Sequence, residues 1–299
     1  MERAAAEFCC ILETVPGVDG TETVKLKTVN SKLYFTNPLR LLVRQPHSRH
    51  CSPNYNCQWL YKLYSGGRVL DGSTNCTSLE IGVGEDCNVV FTTQEYPKIS
   101  ASDTGLVMKQ ELRVRVADRA ILAVLPDPFL CYKNSMYQQD QVYNLTTEGN
   151  LILLDWLIAG RIALGEVWDM TSFVSQSKIY VDGKLVLGDA INLDRYFGNN
   201  GKRCSLRESL QHTKVLGSCV FIGPYFKDLK WTIQDKVHEI SGREGSDGIT
   251  ASVSVLNQPL CDGVVIKLLG AQSTEQARSF FRRLVEDTTT WFGGDPLDK

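Results

Sequence analysis

Leu106-Val107-Met108-Lys109-Gln110-Glu111-Leu112-Arg113-Val114-Arg115-Val116 ends in strict alternation of apolar and charged residues. A period of two places Leu112, Val114 and Val116 on one face of an extended chain, with Arg113 and Arg115 on the other. That is the pattern of a half-buried strand. Similar short runs lie on both sides. Upstream, residues 23–29 alternate, and residues 39–44, 58–64, 79–83 and 87–93 read as further strands. Downstream, residues 120–125 are apolar and stop at Pro126-Asp127-Pro128, because proline has no ladder donor. Residues 140–147 alternate, and residues 151–158 form an apolar run. Residues 171–181 and 184–193 flank Asp182-Gly183, the strongest short hairpin signal in the chain. Residues 216–222, 231–240, 249–256 and 263–269 bring the set to about fifteen strands. Such a set predicts a sandwich, a barrel or a stacked β-coil, and pattern alone does not choose among these.

One helix stands out against this background. Ser273-Thr274-Glu275-Gln276 is a capping box, in which the Ser273 hydroxyl accepts the N3 amide and Gln276 reaches back. Ala277, Phe280, Phe281, Leu284, Val285 and Trp291 follow on one apolar stripe, and Gly293-Gly294 ends it. An aromatic-rich terminal helix ordinarily packs on its own sheet; the sharper alternative makes it a partner-binding element.

The chain has 299 residues, 43% hydrophobic and 22% charged, which is ordinary for a globular protein with a sizeable core. With 32 basic and 34 acidic residues, net charge −2, there is no electrostatic footprint for nucleic acid or an anionic membrane surface. The start, Met1-Glu2-Arg3 and three alanines, lacks the basic and apolar regions of a signal peptide. No apolar run is long enough to span a bilayer. The expectation is a cytoplasmic protein of one domain, residues 1–299. Its ten cysteines, with no Cys-x-x-Cys pair, then read as free thiols packed as small hydrophobes. The sequons at Asn75 and Asn144 read as chance.

Chemistry is sparse. No P-loop, dinucleotide glycine motif, nucleophile elbow or zincin signature is present. Only four histidines occur, a thin supply for general acid–base work. His47, His50, Cys51 and Cys57 lie close in sequence and carry good ligand atoms for zinc, nickel or copper. Their spacing fits no standard zinc pattern, and prolines around them favour a polar loop. The carboxylates are more informative. Asp155 interrupts Leu151-Ile152-Leu153-Leu154-Asp155-Trp156-Leu157-Ile158, and an ionised carboxylate buried without a partner costs several kcal/mol. It must be hydrogen-bonded, ion-paired, hydrated or metal-facing; the bland reading is a salt bridge, for instance with Arg161. Glu166 and Asp189 also adjoin apolar strands.

Residues 125–193 resemble the urease accessory protein D family, also written UreD or UreH. The resemblance is carried by Leu125-Pro126-Asp127-Pro128-Phe129 with Cys131-Tyr132-Lys133 and Tyr137-Gln138-Gln139. It continues through Leu153-Leu154-Asp155-Trp156-Leu157, Ala159-Gly160-Arg161, Gly165-Glu166-Val167-Trp168 and the Asp182-Gly183 hairpin. Phe91-Thr92-Thr93-Gln94, Pro97-Lys98 and Met108-Lys109-Gln110 are similar to the family's preceding stretch, and residues 265–270 with the terminal helix to its ending. One departure lies at Tyr64-Ser65-Gly66-Gly67-Arg68-Val69-Leu70-Asp71-Gly72, where the family's glycine-rich segment ends Gly-Asp and this chain has Asp71-Gly72.

The resemblance implies a mainly β, right-handed, β-helix-like coil of many short strands with one or two helices, including the C-terminal amphipathic helix. It implies a scaffold, not an enzyme, that binds urease apoprotein and accessory protein F, and through F the GTPase accessory protein G. It implies no permanently bound cofactor, but an internal passage for Ni2+ as a transported ion. The passage carboxylates expected are Asp155, Glu166 and Asp189, with Asp71 a fourth whose direction the reversed pair leaves open. Two alternatives stand beside this: a degenerate scaffold that moves no metal, motivated by the 64–72 segment, and a β-helical carbohydrate-active enzyme with paired acids in an open cleft.

Overall fold

The alternating run becomes a strand from Met108 to Val116, with Met108, Gln110, Leu112, Val114 and Val116 buried. The structure, a computed structural model, describes residues 2–16, 22–36, 39–45, 56–64, 76–102, 105–197, 204–210, 212–241, 248–258 and 261–298. In chain order the strands are β1 (Glu2–Pro16), β2 (Glu22–Phe35), β3 (Leu39–Arg44), β4 (Cys57–Tyr64), β5 (Cys76–Val83), β6 (Asn88–Thr93), β7 (Lys98–Ile99), β8 (Met108–Val116), β9 (Ile121–Val124) and β10 (Phe129–Cys131). They continue with β11 (Met136–Leu145), β12 (Asn150–Ile158), β13 (Ser172–Val181), β14 (Lys184–Asp194), β15 (Tyr196–Phe197), β16 (Cys204–Ser205), β17 (Val215–Ile222), β18 (Thr250–Gln258) and β19 (Cys261–Ala271). The helices are α1 (Leu206–Ser209), α2 (Leu229–Ser241), α3 (Thr274–Val285) and α4 (Thr289–Phe292).

Two sheets hold most of these strands. The first runs β14-β13-β11-β8-β5-β1-β2, the second β18-β19-β17-β12-β9-β6-β4-β3, with β7 and β10 attached beside β12. From β4 to β13 the longer strands alternate between the sheets, and β5, β8, β11 and β13 are parallel neighbours, as are β4, β6, β9 and β12. This is a stacked coil of about three turns, the architecture the resemblance implied. Antiparallel strands extend it at both edges.

Among the described residues the buried apolar side chains gather in three layers. Leu112, Val114, Tyr143, Leu151, Leu153 and Ile179 belong to one core between the sheets. Met108, Phe129, Tyr137, Leu157 and Phe173 form a second core at the other end of the same gap. The third covers the outer face of the second sheet, where Ile152, Leu154 and Trp156 meet Ile233 and Val237 of α2 and Phe280, Phe281 and Leu284 of α3. Because β12 is buried on both faces, its sequence after Asn150 is an apolar run broken only by Asp155.

The turn at Asp182-Gly183 joins β13 to β14 as expected, with φ of 46° and 75° at its two central residues. Nothing lies within 4 Å of where a Gly183 Cβ would sit. Gly183→Ala therefore tests backbone conformation alone. It is expected to cost about 1 kcal/mol, read as a lower urea midpoint at unchanged slope.

Two local readings are corrected. Residues 231–240 lie in α2, not in a strand. Trp231, Ile233 and Val237 satisfy a period of two, but Ile233, Val237 and Ile240 are also spaced i, i+4, i+7, and the helix buries Ile233 and Val237. Residues 2–16 form a strand that the sequence reading left unassigned; β1 joins the first sheet beside β5 and carries β2 as a long hairpin. The terminal helix is capped by Ser273, whose hydroxyl accepts from Gln276 N at 3.1 Å, while the Gln276 side chain accepts from Gln272 N one residue before the cap. Among the described residues no helix is long and apolar enough to cross a membrane.

Candidate functional site

Side chains between the sheets change character at one level. Along β12 the inward positions read Leu151, Leu153, Asp155, Leu157, so Asp155 falls where the two inner cores meet. The facing strands change at the same height. β11 runs Tyr137, Gln139, Gln141, Tyr143, and β13 runs Phe173, Ser175, Ser177, Ile179. Parallel register aligns Gln139 with Gln110 and Ser175, and Gln110 with Thr77. On the second sheet Asp155 pairs with Ser218, and Ser218 with Lys267. Stacking thus turns isolated polar residues into one polar layer between two apolar ones.

Asp155 is 7% exposed and fully engaged. Gln139 Nε2 donates to both carboxylate oxygens, at 3.2 and 3.1 Å, and to Ser175 Oγ at 2.7 Å. The Ser175 hydroxyl donates to Asp155, and Gln141 Nε2 reaches it at 3.5 Å. Toward one edge, Asp189 accepts from Ser218 Oγ at 2.8 Å and pairs with Lys267. Toward the other, Lys62 Nζ donates to Gln110 Oε1 at 3.1 Å, and Tyr64 OH donates to the same oxygen at 2.7 Å. The Thr77 hydroxyl is buried with no hydrogen-bond partner among the described residues.

Burial pushes the Asp155 carboxyl up to about 6, because leaving water penalises the ionised form more than the Ser175 hydrogen bond favours it. Burial also brings the Lys62 ammonium down to about 7, against the pull of Asp155. The same desolvation raises the Tyr137 and Tyr143 phenols, which stay neutral donors to Gln139 and Gln141. A carboxyl raised from 3.8 in the unfolded chain to about 6 stabilises the fold fully below pH 3.8 and loses that contribution as pH rises through 6. Asp155→Asn, which cannot ionise, should therefore gain on the wild type by about 3 kcal/mol between pH 4 and pH 7. Urea unfolding of both proteins across that range checks this; a constant difference would mean an ordinary carboxylate.

Of the carboxylates expected from sequence, Asp155 and Asp189 share the layer. Glu166 does not join their hydrogen-bonded set. It follows the turn at Ile162–Leu164, takes Arg161 Nε at 2.8 Å and Lys133 N at 3.2 Å, and is held below the usual carboxylate range by the Arg161 hydrogen bond. The Arg161 partner expected for Asp155 thus belongs to Glu166, and Arg161 also stacks on Tyr132, 4.0 Å from the ring centre. Asp71, His47, His50 and Cys51 lie outside the described residues; Cys57 is buried on the outer face of the second sheet. Among the described residues no three His, Cys, Asp or Glu side chains gather as a metal cage. The amides and hydroxyls of the layer were missed from sequence. Their signal is present, since Gln110, Gln139 with Gln141, and Ser175 with Ser177 each replace apolar residues at alternate positions. It appears only once parallel strands are aligned side by side.

A family model described as UreD urease accessory protein matches residues 20–298. The chain belongs to the UreD family. It is 31% identical to urease accessory protein UreD of Anaeromyxobacter sp. (strain Fw109-5) over 262 residues, 88% of this chain and 81% of that protein. It is 26% identical to urease accessory protein D of Oryza sativa subsp. indica over 316 residues, covering 99% of each. Against urease accessory protein D of Arabidopsis thaliana it is 25% identical over 295 residues, 92% and 97% of the two chains. UreD membership implies a role in urease maturation, and these UreD relatives are named as accessory proteins, not as enzymes. Asp155 of the second sheet reaches Gln139 and Ser175 of the first, and Asp189 of the first sheet reaches Ser218 and Lys267 of the second.

Proposed function

We propose that this chain is a urease-maturation scaffold that binds apo-urease and accessory protein F, engages the GTPase accessory protein G through F, and passes Ni2+ along its internal polar layer. The supporting observation is Asp155, a buried carboxylate seated at the middle of a layer of amides and hydroxyls between two apolar cores. Nickel lies high in the divalent affinity order, so a closed cage of thiolates and imidazoles would retain it. A route must bind weakly enough to release, as conducting pores do. Carboxylate and amide oxygens spaced along a layer meet that requirement, and their negative charge attracts the cation. Asp155 and Asp189 are the acids of this route; Glu166 has an ion-pair partner outside it.

Coexpression with apo-urease and accessory proteins F and G tests the role. Urease activity should depend on this chain, and equal activity without it would reject the proposal. The altered segment at 64–72 motivates the second reading, a scaffold that carries no metal. Calorimetry of the assembled complex separates the two: heat of Ni2+ addition equal to that of buffer favours the second.

A further inference from the structure

Lys62 is the one member of the layer whose charge opposes a passing cation and is not offset by contact with an acid among the described residues. At the opposite edge Lys267 is neutralised by Asp189. Lys62 is 4% exposed, and among the described residues its Nζ has one hydrogen-bond acceptor, the neutral Gln110 oxygen at 3.1 Å. The Tyr64 and Phe91 rings lie 5.4 and 5.8 Å from it. Burial of a lysine in such a box shifts it toward the free amine, a nucleophile. Beside it is a cavity of about 140 Å3 lined by Lys62, Leu63, Tyr64, Gln94, Glu95 and Tyr96. Gln94, Glu95 and Tyr96 also line a surface groove of about 650 Å3.

A buried lysine that lines a small cavity, with a phenol and an amide at hand, is suited to carbon dioxide. We propose that Lys62 is a site of reversible carbamylation by CO2, and that the carbamate turns the cationic end of the layer into an oxygen ligand for a divalent cation. The ammonium first releases a proton. The neutral Nζ then attacks the CO2 carbon, a C–N bond forms, one C=O electron pair moves onto oxygen, and Nζ releases a second proton. The group changes from +1 to −1 with no oxidant or reductant. Tyr64 OH, now donating to Gln110, and the Gln110 amide group provide hydrogen bonds for the new oxygens. The carbamate then faces the layer from one end with Asp155 deeper inside. The modification stands on the surroundings of Lys62; its effect on a cation rests on the passage proposed above.

The purified full chain is equilibrated with 13C-labelled bicarbonate, carbamates are trapped as alkyl esters, and peptides are mapped by mass spectrometry. Label is expected on the Lys62 peptide and lost in Lys62→Gln. An unlabelled Lys62 peptide, with a control peptide amine in the same tube labelled, overturns the proposal and needs no variant to fold. Ni2+ binding is then measured in CO2-saturated and degassed buffer. Wild type should tighten several-fold with CO2, Lys62→Gln should show no response, and Lys62→Glu should bind as tightly without CO2. Labelled Lys62 with CO2-independent Ni2+ binding removes the ligand role and leaves the modification. Labelled Lys62 with no Ni2+ binding in either buffer counts against the passage itself.

Discussion

Asp155→Asn is expected to lower the nickel content of urease matured with this chain by about tenfold or more, while recovery of the maturation complex is unchanged. The carboxylate sits among amides and hydroxyls with little water to screen it. At the effective dielectric of a protein interior, one charge a few Å from an ion is worth on the order of several kcal/mol, and about 1.4 kcal/mol already gives tenfold. Asparagine keeps the size of the side chain, so no cavity opens, and it removes the desolvation cost that lifts the Asp155 carboxyl. Fold and docking should survive. Asp189→Asn should have a smaller effect of the same sign, because Lys267 already neutralises that acid. Glu166→Gln serves as the control, since its carboxylate answers to Arg161 outside the layer. Metal analysis of purified urease and the yield of complex are the two readouts. Loss of nickel and complex in equal measure would make Asp155 a folding residue, and the passage would go with it.

Phe281→Ala is expected to destabilise the chain by about 3–5 kcal/mol, the cost of removing a fully buried aromatic ring. Phe281 is fully buried and meets Trp156 of β12 edge-on, ring centres 5.3 Å apart. Gly217 of β17 makes the approach possible, since a Cβ there would lie 2.8 Å from Trp156 Cβ and 3.0 Å from Phe281 Cζ. Phe280 is buried beside it, and Trp291 packs against Tyr225 and Phe226. The apolar stripe of α3 is thus occupied by the chain's own second sheet. The same helix places Arg278 on the buried Asp127 at 3.0 Å. A drop in urea midpoint would follow the loss of Phe281. A variant of wild-type stability that failed only to bind its partners would instead make the helix a docking element.

Much of the architecture was legible because strand burial writes a period of two into the chain. The run ending at Val116 and the Asp182-Gly183 turn needed no other information: side-chain alternation and a left-handed turn are local properties. The 231–240 segment shows the limit. Its apolar positions fit both periods, and the choice fell to α2 because the outer face of the second sheet needed Ile233 and Val237 as cover. Residues 2–16 show another. Alanines and cysteines on β1 carry little strand signal, and β5 and β2 supply the pairing that holds them extended.

For the candidate site the division is sharper. Sequence alone marked Asp155, because a carboxylate inside an apolar run is a local anomaly whatever the fold. It did not reveal that Gln110, Gln139, Gln141, Ser175 and Lys62 lie at the same level, or that Arg161 serves Glu166 and not Asp155. Those relations depend on which strands stack and in what register, and register is set by backbone hydrogen bonds between segments dozens of residues apart. Local chemistry therefore marked most of the strands and flagged one buried charge. Only the coiling of the chain decided which polar groups surround that charge, because a one-residue shift in any rung would have turned its amides away from the interior.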